Sequence, residues 1–414
     1  MSPQKKTNDG GDTAGLLAAL YPLIRKYWRF FLILAFFAVI CYGTYSLLGF
    51  NGTFPLAPAP VFTQPAVPAS TGQTQAQAGL PDWLQVYFTD PNPPDVLGKG
   101  IDQYIKKDID SAAKTIDITS FDLNNPSLIN ALVVASKRGV KVRVVYDGTN
   151  GSHDLKNAAT NNKPFDSIPV FKTANIPTVD GGRSNGLMHD KMVIIDSQIL
   201  YMGSLNFAYN DTYRNNNNLL RITDPQLIVN YQGKFNELFV SKLFGSHAKY
   251  KAPNPALNSG GVEVENFFSP EDQVMDKLIA YVQGAKKLVH YMIFTYTDPN
   301  LANAMIARSK AGVKVEGVIE NRGATQGALV PLFCARLPVK LDGNKYTMHH
   351  KVIIIDNDTV ITGSFNFTKS ADDVNDDNLL VIHSPAVAAL YEQEFQKIYS
   401  AGTPPSSADI KCVN

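Results

Sequence analysis

His189-Asp190-Lys191-Met192-Val193-Ile194-Ile195-Asp196 and His349-His350-Lys351-Val352-Ile353-Ile354-Ile355-Asp356 are two copies of one pattern, His-x-Lys-x4-Asp, set 160 residues apart. Fourteen residues after each histidine comes the same tail, Gly203-Ser204-Leu205-Asn206-Phe207 and Gly363-Ser364-Phe365-Asn366-Phe367. Twelve residues beyond each glycine stands an asparagine (Asn215, Asn375), and three further on another followed by two leucines (Asn218, Asn378). A lone His-x-Lys is ordinary surface sequence, but two copies in frame with shared flanks describe a duplicated half.

The residue types fit a strand. Met192–Ile195 and Val352–Ile355 are apolar and mostly β-branched. Alternate side chains of a strand share a face, so His189 projects with Lys191 and His349 with Lys351. Asp196 and Asp356 fall on the opposite parity and read as scaffold carboxylates. An imidazole beside a fixed ammonium suits a phosphate: one group attacks or donates a proton while the other neutralises an oxygen. Asn206 and Asn366, past the corners at Ser204 and Ser364, are placed to add amide donors to the same anion. His349 and His350 are strand neighbours on opposite faces and do not share a metal ion, and neither a metal nor a cofactor is expected.

The duplication continues upstream. Thr115–Phe121, Pro126 and Gly139–Asp147 are echoed by Leu288–Phe294, Pro299 and Gly312–Glu320 as strand–helix–strand units. Their offset is 173 residues against 160 at the histidines, so the first half carries thirteen extra residues before its motif. The stretch Gly148–Gly186 reads as the long loop that holds them, either a substrate-recognition element beside the site or a solvated surface excursion. Pro-started amphipathic helices at Pro225–Leu243 and Pro385–Tyr399 read as core packing. Pro253, Pro255, Gly260 and Gly261 break regular structure where the halves join. The fold class is α/β, each half a mixed β-sheet flanked by helices, at 83–255 and 256–414, each long enough for a core of its own.

These motifs and their Gly-Ser-x-Asn-Phe tails resemble those of the phospholipase D superfamily, over roughly residues 83–400. The resemblance implies two halves related by a pseudo-two-fold, with one active site where both motifs meet. It implies that one histidine attacks phosphorus to form a phosphohistidine while the other protonates the leaving oxygen, without a metal. The family often carries a carboxylate just before the asparagine of the Asn-Leu pair, hydrogen-bonded to the catalytic imidazole. Here the second half has Asp377 and the first has Asn217. Asp377 is expected to lie against His349, favour its imidazolium and make it the acid, leaving His189 as the nucleophile.

Phe30–Phe50 is an uncharged, largely apolar run of twenty-one residues, long enough to cross a bilayer. Arg25, Lys26 and Arg29 precede it, so residues 1–29 are expected in the cytoplasm, 30–50 as a transmembrane anchor, and the rest outside the cell membrane. A cleaved signal peptide is the competing reading, but its apolar core is shorter and no clean small-x-small site follows closely. Residues 51–82, rich in Pro, Ala, Gln and Thr, read as a linker spanning roughly 28–34 Å as a coil. Cys41 falls in the span. Cys334 and Cys412 would meet an oxidising compartment, where a disulfide could tie the C-terminal tail to the second half.

The chain has 38 basic and 37 acidic residues. With five basic and two acidic ones before the span, 33 against 35 remain beyond it, with none of the excess of positive charge usual in dedicated nucleic-acid binders. The expected function is phospholipid headgroup hydrolysis to phosphatidic acid at a membrane. A nuclease acting on single-stranded DNA or RNA is the alternative, and a cardiolipin synthase-like phosphatidyltransferase the third. A non-catalytic scaffold does not fit two intact motifs.

Overall fold

The computed structural model describes residues 79–91, 96–155, 164–406 and 410–412, all in one compact unit. The anticipated anchor and the linker up to residue 78 lie outside the described residues. Among the described residues no helix is long and apolar enough to cross a membrane.

The first half runs β1 (Leu84–Phe88), α1 (Asp102–Ser111), β2 (Thr115–Ser120), α2 (Pro126–Lys137), β3 (Lys141–Tyr146), β4 (Asp154–Leu155), β5 (Phe165–Asp166), α3 (Ser167–Thr173), β6 (Thr178–Asp180), β7 (Met192–Ile195), β8 (Ile199–Gly203), α4 (Tyr209–Tyr213), β9 (Asn218–Ile222) and α5 (Pro225–Asn236). The second runs β10 (Ala256–Ser259), β11 (Val262–Ser269), α6 (Val274–Gly284), β12 (Leu288–Ile293), α7 (Pro299–Lys310), β13 (Lys314–Ile319), α8 (Leu329–Cys334), β14 (Val339–Leu341), β15 (Lys351–Ile355), β16 (Thr359–Gly363), α9 (Lys369–Asp373), β17 (Asp377–His383) and α10 (Pro385–Ala401). The large sheets have orders β1-β9-β8-β7-β2-β3-β6 and β10-β11-β17-β16-β15-β12-β13-β14. Both are mixed: β2, β3 and β6 are mutually parallel, as are β12, β13 and β14, and the remaining pairs are antiparallel. Apart from β10 the two orders superimpose element for element.

The apolar runs are buried on both faces, and parity decides which neighbour each residue meets. Val193 and Ile195 pack under the first half's helices, and Ile353 and Ile355 under the second's. Met192 and Ile194, with Val352 and Ile354, join a third cluster drawn from both sheets, together with Leu220, Leu380, Tyr231 of α5 and Tyr391 of α10. The halves therefore share a central core in addition to the core each was expected to build alone. Helix starts repeat as well. Asn125 and Asp298 cap Pro-started α2 and α7, and Asp224 and Ser384 cap α5 and α10.

Two expectations change. The stretch Gly148–Gly186 is not one loop. It holds the β4–β5 hairpin, helix α3 and strand β6, which joins the sheet beside β3. β6 and β14 are 161 residues apart (Thr178 to Val339), so nearly all the extra residues precede β6, around the hairpin. The join is also more ordered than its prolines and glycines suggest: β10 and β11 form a hairpin whose turn uses Gly260 (φ +58°) and Gly261 (φ +86°), conformations that glycine adopts without Cβ strain. Cys334 and Cys412 form a disulfide across 78 residues, tying the tail to α8.

Candidate active site

Each motif opens just before or at the start of the strand that carries it, and its flanks are held by the opposite half. The His189 amide donates to the Asp376 carbonyl and the His349 amide to the Asn216 carbonyl, both at 2.9 Å. Asp147 Oδ2 accepts from the Met188 amide at 3.0 Å, and its repeat counterpart Glu320 Oε2 from the Met348 amide at 2.7 Å. The two histidines thus enter one cavity of about 900 Å³ from opposite sides. Its wall includes both imidazoles, Asn206, Asn366, Phe121, Phe294, Asp122, Asp211 and Arg322. Phe121 packs edge-on to His189 and Phe294 edge-on to His349, with ring centroids 5.3 and 4.7 Å apart.

The tails explain their own spacing. Gly203 and Gly363 turn the chain where a Cβ would come within 2.5 Å of the Asn218 carbonyl and 2.2 Å of the Asn378 carbonyl, so only glycine fits. The following hydroxyls do not face the cavity. Ser204 Oγ donates to Asn217 Oδ1 at 2.9 Å and Ser364 Oγ to Asp377 Oδ1 at 2.6 Å. They hold the groups that hold the imidazoles.

Here one expectation reverses. Asp377 lies against His189, not His349: Nδ1 donates to Asp377 Oδ1 at 2.7 Å. His349 Nδ1 instead donates to the Asn217 side-chain oxygen at 2.9 Å. The start of each Asn-Leu-Leu strand reaches across the pseudo-two-fold, so each histidine is oriented by the other half. Same-half pairing was the default reading of linear sequence, and the shared central core overrules it.

Both imidazoles are nearly inaccessible, with 4% and 6% exposure. Burial, reinforced by Lys191, pushes His189 down to about 4 despite Asp377. Burial and then Lys351 and Lys191 hold His349 well below its usual value. Burial works against ionisation of Asp377, but His189, Lys191 and the Ser364 hydrogen bond keep it below the ordinary carboxylate range. With each Nδ1 spent on an internal acceptor, Nε2 is the ring nitrogen left for chemistry.

The lysines are fully buried and do not contribute to the cavity wall. Each ammonium donates to its own histidine's carbonyl, Lys191 at 2.8 Å and Lys351 at 2.7 Å. Burial drives Lys191 down to about 8 and Lys351 well below its usual value. Among the described residues neither ammonium has a carboxylate oxygen within 4.0 Å. A buried cation without a direct ion pair is costly, and an anion entering the cavity relieves it.

The remaining anticipated residues divide. Asn206 lines the cavity with part of its amide engaged, Nδ2 to Asp211 Oδ2 at 3.4 Å. Asn366 lines it too, with its buried side-chain oxygen unpaired. Asp196 and Asp356 are distant from the chemistry. At positive φ they accept from the amides of Ala113, Lys114 and Thr115, and of Lys286, Lys287 and Leu288. They pin the strand pairs β2–β7 and β12–β15, as scaffold carboxylates. His350 points away from His349, with Nδ1 on Asn218 Oδ1 at 3.2 Å.

Residues outside the motifs also meet here. Asp211 stands 3.3 Å from His349 Nδ1. No repeat signals it, since the equivalent position is Ala371. Arg322 reaches the rim, paired with Glu320 at 2.8 Å and hydrogen-bonded to Thr347. The segment Ser184–Leu187 forms part of the wall. Arg183 anchors it to Asp376 at 2.9 Å and to the Val374 carbonyl at 2.5 Å.

Residues 105–239 and 278–399 match the protein family described as "Cardiolipin synthase, PLD-like domain", one segment in each half. The mitochondrial cardiolipin hydrolase of Xenopus tropicalis is 29% identical over 137 residues, 33% of this chain and 65% of that protein, so the chain spans just under two-thirds of that relative. The mitochondrial cardiolipin hydrolase of Chlamydomonas reinhardtii is 30% identical over 162 residues, 39% of this chain and 73% of the relative. The phosphatidylserine synthase of Haemophilus influenzae Rd KW20 shares the fold, with a TM-score of 0.57 over 80% of this chain and 91% of its own at 15% identity.

Proposed function

Because the chain belongs to the phospholipase D superfamily, matched by one family segment in each half, we propose that it hydrolyses phospholipid headgroup phosphodiesters to phosphatidic acid. The observation that carries the reading is the pair of buried, directly unpaired lysine ammoniums behind two histidines whose Nδ1 atoms are both engaged inside the protein. Such a site favours an anion and presents Nε2 to it. The relatives named cardiolipin hydrolases support lipid as the substrate class.

In the proposed sequence His189 Nε2 attacks phosphorus, a role that rests on the carboxylate held directly on its own Nδ1 and no longer on the pairing of Asp377 with His349 expected from sequence. Asp377 holds the Nδ1–H tautomer that leaves the Nε2 lone pair free and stabilises positive charge on the ring as the P–N bond forms. His349, protonated on both ring nitrogens once the anionic phosphate is bound, gives its Nε2 proton to the leaving alcohol oxygen as the P–O bond breaks and keeps Nδ1–H on Asn217. A water then attacks the phosphohistidine, His349 Nε2 takes its proton, and His189 is released. Lys191, Lys351, Asn206 and Asn366 stabilise the phosphoryl oxygens. Residues 30–50 anchor the chain in a cell membrane, with the catalytic region outside and the linker giving it reach to the lipid surface.

The test is phosphatidic acid formation by the full chain in mixed phospholipid vesicles containing EDTA, beside His189→Ala and His349→Ala. Product that disappears in both variants supports the reading. Lack of product from folded protein, with cleavage of single-stranded DNA or RNA that needs the same histidines, replaces lipid with nucleic acid as the substrate.

A further inference from the structure

The repeat register sets Asn217 opposite Asp377 and Ala371 opposite Asp211. The carboxylate beside each imidazole therefore comes from a different repeat position, Asp377 for His189 and Asp211 for His349. Asp211 projects from α4 and is 4% exposed. Its Oδ1 lies 3.3 Å from His349 Nδ1 and accepts from Asn217 Nδ2 at 3.0 Å and Asn215 Nδ2 at 3.4 Å. Asn217 stands between them, its oxygen taking the His349 Nδ1–H and its amide donating to the carboxylate.

We propose that Asp211 is the positioning residue that lets His349 hold a proton as the general acid, acting beside and through Asn217 in place of a carboxylate at position 217. The inference rests on the roles given to the two histidines above.

The surroundings of His349 show why such a group is needed. Lys351 on its own strand, Lys191 and His189 from the facing motif, and His350 next in sequence all disfavour an imidazolium, as burial does. Glu320 is engaged by Arg322 and the Met348 amide. Among the described residues Asp211 alone brings a carboxylate oxygen within 4.0 Å of the His349 ring. Asp377 is committed to His189, and Asp122 lies against Asp211, which burial and Asp122 raise to about 6.

The asymmetry suits two different tasks. His189 has a carboxylate on Nδ1 directly, which strengthens Nε2 as a nucleophile. His349 has an amide on Nδ1 with the carboxylate one step removed. That opposes the burial and the cations that disfavour its imidazolium, and leaves the ring acidic enough to protonate an alkoxide. In the first step its Nε2 proton goes to the leaving oxygen while Nδ1–H stays on Asn217 and Asp211, and in the second the proton returns from water.

The experiment compares full-length wild type, Asp211→Asn, the double variant Asp211→Asn with Asn217→Asp, and His349→Ala. First-turnover rates are read on phosphatidylethanolamine, whose alcohol needs protonation, and on phosphatidyl-p-nitrophenol, whose leaving group does not. Asp211→Asn is expected to slow the alcohol substrate about tenfold or more and the aryl substrate far less. The alkaline limb of kcat on the alcohol substrate should move to lower pH, and the double variant should recover the alcohol rate. Equal losses on both substrates, or no loss on either, overturn the role of Asp211. If His349→Ala itself shows no selectivity for the alcohol substrate, the assignment of His349 as the acid fails instead. Should wild type act on single-stranded nucleic acid and not lipid, the same comparison runs on a thymidine dinucleotide against the p-nitrophenyl ester of thymidine phosphate, with the same outcomes.

Discussion

Replacing Lys191 by methionine should make the protein more stable while abolishing its chemistry. Lys191 is fully buried, and burial lowers it from 10.5 to about 8. At 1.36 kcal/mol per unit this depression corresponds to about 3 kcal/mol held against the folded state while the lysine is charged. Methionine fills much of the same volume without the charge, but it leaves the His189 carbonyl without its 2.8 Å donor, which costs about 1 kcal/mol. The net is a gain of about 2 kcal/mol near neutral pH, or roughly 4 °C in Tm.

The pH dependence carries the same sign. Between about 8 and 10.5 the unfolded lysine keeps a proton that the folded one has lost, so stability contributed by this group rises with pH across that window. Lys191→Met should lack this rise, and its advantage should shrink toward the alkaline end. Urea unfolding of both proteins at neutral pH and near pH 10, with product formation measured alongside, tests the reasoning. A folded variant less stable than wild type at neutral pH would refute it. That result would mean the surrounding carboxylates already balance the ammonium, and the cavity is not waiting for an anion.

Asp377→Asn should keep the His189 tautomer, since Asn217 already holds His349 with an amide oxygen, and should lose only the charge. Phosphohistidine formation in a single turnover should fall roughly 10- to 100-fold, and an unchanged rate would remove Asp377 from the mechanism. Tungstate, whose charge is constant above neutral pH, should bind more weakly as pH rises through about 8, where Lys191 loses its proton, and calorimetry should detect proton uptake on binding there. Cys334→Ser should destabilise the second half by about 4 kcal/mol, given the 78-residue separation of the disulfide, measured as a lower urea midpoint than oxidised wild type.

Much of this protein was legible because duplication makes each half a control for the other. The strand parity of Met192–Ile195 and Val352–Ile355 and the corners at Gly203 and Gly363 are local properties, and parity alone sets Asp196 and Asp356 off the histidine face. The amides those carboxylates hold lie far away in sequence, at Ala113–Thr115 and Lys286–Leu288, and come only with the fold. The same local logic placed His189, Lys191, His349 and Lys351 as the candidate chemical groups. It did not reveal which partner each histidine takes, because a strand end has no local reason to prefer the other half's motif. Only the shared core, packing Met192 and Ile194 into one cluster with Val352 and Ile354, brings Asp377 to His189 and Asn217 to His349. Asp211 was invisible for the same reason. It sits in α4, a helix repeated as α9 but with Ala371 at the matching position, and its 3.3 Å approach to His349 exists only once the halves close. The sequence by itself determined which residues exist in pairs and which faces they share; the tertiary structure decided the pairing across the pseudo-two-fold, because burying both sheets against each other is what sets those distances.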